Sequence, residues 1–134
     1  SCTACHAVDG VKGAATTVKG PNLTAVAAGL PVDLLVESVL WPARQIKEGY
    51  EANTVVTKDG RVLSGFAHSE DKTVLRICDL ATGKIAPVQI GNIQQRIKGG
   101  TVMPPGLTAS LTRTELRDLI KYLSTLKTTS QPKR

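Results

Sequence analysis

The chain has 134 residues, a length that holds one core and is short for two. Its formal charge of +6 comes from 17 basic and 11 acidic residues interspersed along the chain, so no block reads as a nucleic-acid arm, and the excess reads either as a solvated surface or as a weak preference for acidic partners that would steer a redox protein. No apolar run approaches the length of a membrane span, no charged-then-apolar signal segment opens the chain, and an aromatic content of 3% leaves few large side chains to fill a core.

In chain order, the first stretch runs from Ser1 to about Tyr50. It holds Cys2-Thr3-Ala4-Cys5-His6, then a Gly- and Thr-rich loop, then a helix. Pro31 stands where a first-turn proline is tolerated, Leu34, Leu35, Ser38 and Val39 have helical spacing through Leu40, and Pro42 ends or bends the helix. The text begins at Ser1 and its only methionine is Met103, which predicts a processed or excised piece of a longer product, with any export signal removed.

The period then changes. Asn53 to Thr57 and Arg61 to His68 flank Lys58-Asp59-Gly60, and Asp-Gly between apolar runs signals a hairpin. Thr73 to Asp79 and Lys84 to Ile90 follow, separated by Ala81-Thr82-Gly83, giving three or four short antiparallel strands over about 52–90. From Gly91 to Gly106 the sequence reads as a Gly- and Pro-rich loop. Thr112 and Glu115 make a capping-box pattern that opens a last helix, on which Leu116, Leu119, Ile120, Leu123 and Leu126 share one stripe. Residues 128–134 read as a polar, frayed tail, leaving 1–127 as a single domain.

Cys-x-x-Cys-His at the start is the sequence signature of c-type haem attachment. Two thiols at i and i+3 can add to the two vinyl groups of one porphyrin, and the adjacent histidine then reaches the iron from that edge. A haem would also supply the apolar bulk that the aromatic content lacks. Three other readings compete. A redox dithiol normally follows a strand in a βαβ setting, and none is evident. Zinc needs two more ligands, for which His68 and Cys78 are the candidates. A Cys2–Cys5 disulfide leaves His6 without a role.

A haem-ligating histidine needs its other ring nitrogen held, and Gly20-Pro21-Asn22-Leu23 is the place to look for the acceptor, although Gly-Pro is also ordinary turn punctuation. Met103 is a candidate second axial ligand. A lone methionine is usually a core gap-filler, but this one is flanked by Pro104, Pro105, Gly99, Gly100 and Gly106, residues that shape loops.

The order Cys-x-x-Cys-His, Gly-Pro-Asn-Leu, Met-Pro, then a closing helix such as Glu115 to Leu123, resembles the class I cytochromes c. The interval from His6 to Met103 is longer than in small members, and the Ile46 to Tyr50 segment, the Thr57-Lys58-Asp59-Gly60 hairpin and Met103-Pro104-x-Gly106-Leu107 more closely resemble haem-binding domains attached to large secreted planctomycete proteins. The match spans most of residues 1–126. It implies a mainly α cytochrome c fold with an inserted small antiparallel β segment (α+β). It implies one covalent haem c held by Cys2 and Cys5, with His6 as proximal ligand, the Pro21 carbonyl accepting from the His6 ring, and Met103 as distal ligand. Leu119, Tyr122 and Leu123 would face a helix preceding Ser1 in the parent chain.

The functional expectation is an electron-transfer protein, not an enzyme, in the periplasm or another extracytoplasmic compartment. Its partners would be redox proteins, a fused dehydrogenase among the options, with no nucleic acid and no membrane span. The rivals are a peroxidase or gas-binding domain with a labile methionine, and a docking module whose haem is structural. His68 reads as an exposed strand-end residue and Cys78 as a buried inert thiol. Trp41 and Tyr50 are either propionate partners or core residues.

Overall fold

The computed structural model describes residues 2–11 and 19–128. The polar tail from residue 129 onward, and residues 12–18 of the Gly- and Thr-rich loop, lie outside the described residues. The chain divides into two compact units. One is built from the N-terminal segment, residues 20–45 and residues from 103 onward; the other takes in 46–102.

The second unit overturns the mainly α expectation. It is a five-stranded antiparallel sheet of β1 (Glu51–Thr57), β2 (Val62–Glu70), β3 (Val74–Asp79), β4 (Lys84–Gln89) and β5 (Ile93–Thr101), in the order β4-β3-β2-β1-β5. The described helices are three short ones, so strand is the dominant architecture and not a small insertion. The fifth strand falls in the stretch after Gly91, where the sequence predicts no strand. Its Ile-Gln-Gln-Arg-Ile-Lys-Gly-Gly-Thr sequence has no period-two burial, because its place is set by backbone pairing with β1 at the sheet edge.

Alternation on β1 shows why the sheet folds where it does. Asn53, Val55 and Thr57 are buried, with half-buried residues between them. Val55, Leu63, Leu75, Ile77 and Val88 form one cluster, and Ala67, Ala86, Ile90 and Ile93 pack against it. Val88 on β4 and Ile93 on β5 come from opposite ends of the strand order yet serve the same core, so the sheet curls on itself. Each fully buried aliphatic side chain contributes about 1.5–3 kcal/mol.

Lys58-Asp59-Gly60 forms the β1–β2 turn, where Gly60 N–H donates to Thr57 O (2.9 Å) and Arg61 N–H to the buried Thr57 hydroxyl oxygen (3.0 Å). The Thr57 hydroxyl also bonds the Asp59 carboxylate and holds its pKa below the ordinary value. At the other sheet edge, Arg96 of β5 reaches across β1. It donates to both carboxylate oxygens of Glu70 on β2 (2.8 and 2.9 Å) and to Asn53 Oδ1 (3.0 Å). These bonds lower the Glu70 pKa, so this link is present above the ordinary carboxylate range and is lost as pH falls through the lowered value.

In the first unit, α1 spans Val26–Gly29, α2 Val32–Leu40 and α3 Arg113–Thr125. Pro31 occupies the N-cap of α2, and its carbonyl accepts from Leu35 N–H at 2.9 Å. Trp41 then leaves helical geometry (φ −131°, ψ 69°), as the residue before Pro42 must. α3 opens on a reciprocal capping box. Thr112 Oγ1 accepts from Glu115 N–H (3.2 Å), and Glu115 Oε2 accepts from Thr112 N–H (2.7 Å). Thr112→Ala removes one arm of this box and is expected to cost about 1 kcal/mol of helix stability, read as a loss of helical circular-dichroism signal in the last turns to melt. A variant that melts with the wild type would remove the box from the account.

The α3 stripe buries Ile120 and Leu123, with Leu116, Leu119 and Leu126 half-buried, against α1 and α2. Ala27 N–H donates to Leu126 O at 2.9 Å, tying α1 to the end of α3. Among the described residues no helix is long and apolar enough to cross a membrane.

Candidate cofactor-attachment site

Cys2–Ala4 forms one turn of 3-10 helix, in which Cys5 N–H donates to Cys2 O (3.1 Å) and His6 N–H reaches the same carbonyl (2.9 Å). Residues i and i+3 are neighbours across one such turn, so Cys2 and Cys5 stand beside each other on it. Both residues are exposed, and no disulfide joins them. No cluster of three or more His, Cys, Asp or Glu capable of holding a metal ion occurs among the described residues.

His6 is half-buried, and its Nδ1 lies 2.7 Å from Pro21 O. A carbonyl oxygen can only accept, so Nδ1 carries the proton and donates. The neutral ring then keeps its lone pair on Nε2. The arrangement presents two thiols and one directed imidazole lone pair from five consecutive residues.

What holds the ring in place is a seam between segments 6–9 and 21–24. Leu23 N–H donates to Ala7 O (2.9 Å), and Asp9 N–H donates to Thr24 Oγ1 (2.9 Å). Thr24, buried at 6% exposure, has its own N–H on Asn22 Oδ1 (2.8 Å). Gly20 lies against the imidazole: a Cβ there would stand 2.7 Å from His6 Cε1, 3.0 Å from Nδ1 and 3.3 Å from Nε2. Gly20 stands in the Gly20-Pro21-Asn22-Leu23 segment expected to hold the acceptor, but its own place against the ring, and the part played by Thr24, do not show in the sequence. The available signal was no more than a glycine directly before the acceptor proline.

Met103 is half-buried at the start of the exposed Pro104-Pro105-Gly106 loop and belongs to the same compact unit as His6. The loop runs through turns, with Ala109 N–H on Gly106 O (3.0 Å) and Leu111 N–H on Thr108 O (3.0 Å), before Thr112 caps α3.

The residues set aside fall in different places. His68 is exposed on β2. Cys78 on β3 is 2% exposed, and burial, with Asp79 adding to it, pushes its thiol pKa up, away from a reactive thiolate. Tyr50 is half-buried and its ring packs on Phe66, centroids 4.8 Å apart. Trp41 is not a core residue: it is 52% exposed, with the Arg44 guanidinium 5.0 Å from its ring centroid. Compared with known proteins, the chain matches no family model and no curated protein sequence.

Proposed function

We propose that this chain carries one covalently attached haem c and moves single electrons. The observation that carries the proposal is the His6 Nδ1–H···O Pro21 bond beside an exposed cysteine pair on one turn. Zinc would need further ligands that no cluster of His, Cys, Asp or Glu among the described residues supplies, and a disulfide gives no reason to orient a neighbouring imidazole. A haem-ligating role requires it, because the held nitrogen fixes both tautomer and ring plane. The residues therefore fit the group: Cys2 and Cys5 would tether it, and His6 Nε2 would ligate it. Bound haem would supply a one-electron couple at its iron.

The reading rests on the site and not on the fold, which departs from the mainly α class that the resemblance implied. The chain's own residues do the remaining work. Pro21 O strengthens His6 as a donor, and Met103 would supply a thioether as second ligand, closing the iron to substrates and raising the potential relative to two histidines. Held by His6 and Met103, the group would carry electrons and would not bind a substrate. Its partners are redox proteins, a fused dehydrogenase included, in an extracytoplasmic compartment.

Met103→Ala tests the closed iron. The oxidised wild type is expected to show a sulfur-to-iron charge-transfer band that the variant loses entirely. A wild type lacking that band and binding peroxide or a diatomic gas at full occupancy would instead favour the open-iron peroxidase or gas-binding reading.

A further inference from the structure

We propose that Gly20 and Thr24 are positioning residues that fix the plane and donor strength of the His6 imidazole, and through it the potential of the haem, an inference that rests on the reading above. Two separate features act on the ring. Gly20 leaves empty the space where a Cβ would meet the Nδ1–Cε1–Nε2 edge, at 2.7 Å from Cε1 and 3.0 Å from Nδ1. The ring is held by its Nδ1–H···O bond to Pro21, so a methyl group at position 20 would push on the ring edge and lengthen that bond.

Thr24 acts from further off. Its hydroxyl oxygen accepts the Asp9 N–H at 2.9 Å, and with the Leu23–Ala7 bond of 2.9 Å it sets the register between the segment carrying His6 and the segment carrying Pro21. The acceptor is thus placed by the seam and not by the ring it serves. Thr24→Val keeps the side-chain shape, removes the acceptor and leaves the Asp9 N–H without a partner. A weaker Nδ1–H···O bond makes His6 a poorer donor, which disfavours the ferric state and raises the potential.

The test uses the full chain with haem attached, in wild-type, Gly20→Ala, Thr24→Val and Thr24→Ser forms. Gly29→Ala serves as control, since a Cβ at Gly29 meets nothing within 4 Å. Two readouts are taken: the midpoint potential by redox titration, and solvent exchange of the His6 Nδ1 proton by NMR in the ferrous state. Gly20→Ala and Thr24→Val are expected to raise the potential and to speed exchange by about tenfold, the scale of one lost hydrogen bond. Thr24→Ser and Gly29→Ala are expected to match the wild type. If Gly20→Ala does not fold, the Thr24→Val and Thr24→Ser pair decides. Wild-type potential and exchange in both Gly20→Ala and Thr24→Val would overturn the positioning role while leaving the haem reading intact. A wild type with no covalent pigment would overturn both.

Discussion

In the Cys2→Ala/Cys5→Ala variant, pigment that survives denaturation and acid-solvent extraction is expected to fall from nearly all of the bound haem to none. Cys2 and Cys5 are joined across one backbone turn, Cys5 N–H to Cys2 O at 3.1 Å, so each would form one of two tethers to the same group. The single variants are therefore expected to retain one tether and lower yield, not to abolish attachment. The cysteine residues are exposed and the core of the sheet unit is built from Val55, Leu75, Ile77 and Val88, so the strand signal in circular dichroism should be unchanged in the double variant. Covalent pigment persisting without both cysteines would contradict the attachment assignment.

Gly65→Ala is expected to destabilise the chain by at least about 3 kcal/mol, at the severe end for a single methyl group. Gly65 lies within β2, paired with Asp79 of β3, and a Cβ there would stand 1.7 Å from Cys78 O and 2.8 Å from Cys78 C. The obstacle is backbone. β3 has no room to retreat, because it is paired on its far side with β4 and carries the fully buried Leu75 and Ile77. Urea unfolding followed by circular dichroism would read the effect, with Gly91→Ala as a matched control because a Cβ at that position meets nothing within 4 Å. The control is expected to stay within about 0.5 kcal/mol of the wild type. Equal midpoints for the two variants would show that the β2–β3 contact yields more readily than its geometry implies.

Features with a strong local code were legible in the sequence. The Asp59-Gly60 turn, the Pro31 and Pro42 limits of α2, and the Thr112–Glu115 capping box each depend on a few adjacent residues and appear in the structure where those residues stand. β5 was not legible, since a strand joined to the sheet mainly through its backbone leaves little mark on its side-chain pattern. Missing it made the sheet look like an insertion in a helical fold when it is the larger element. At the site, Cys2, Cys5 and His6 stand in one contiguous motif that the sequence alone singles out. Gly20 and Thr24 act through space across a chain seam, and only coordinates bring Gly20 to the imidazole edge and Thr24 to the Asp9 amide. For Trp41 the sequence left a core place and a propionate partner both open, and its place after α2 leaves it exposed beneath Arg44, which removes the core alternative.

The most direct test of the central claim is a haem stain of the wild-type chain on a denaturing gel, after production with export and haem-attachment machinery. The account predicts a stained band that co-migrates with the polypeptide. A polypeptide band that forms with this machinery present and takes no stain would contradict it.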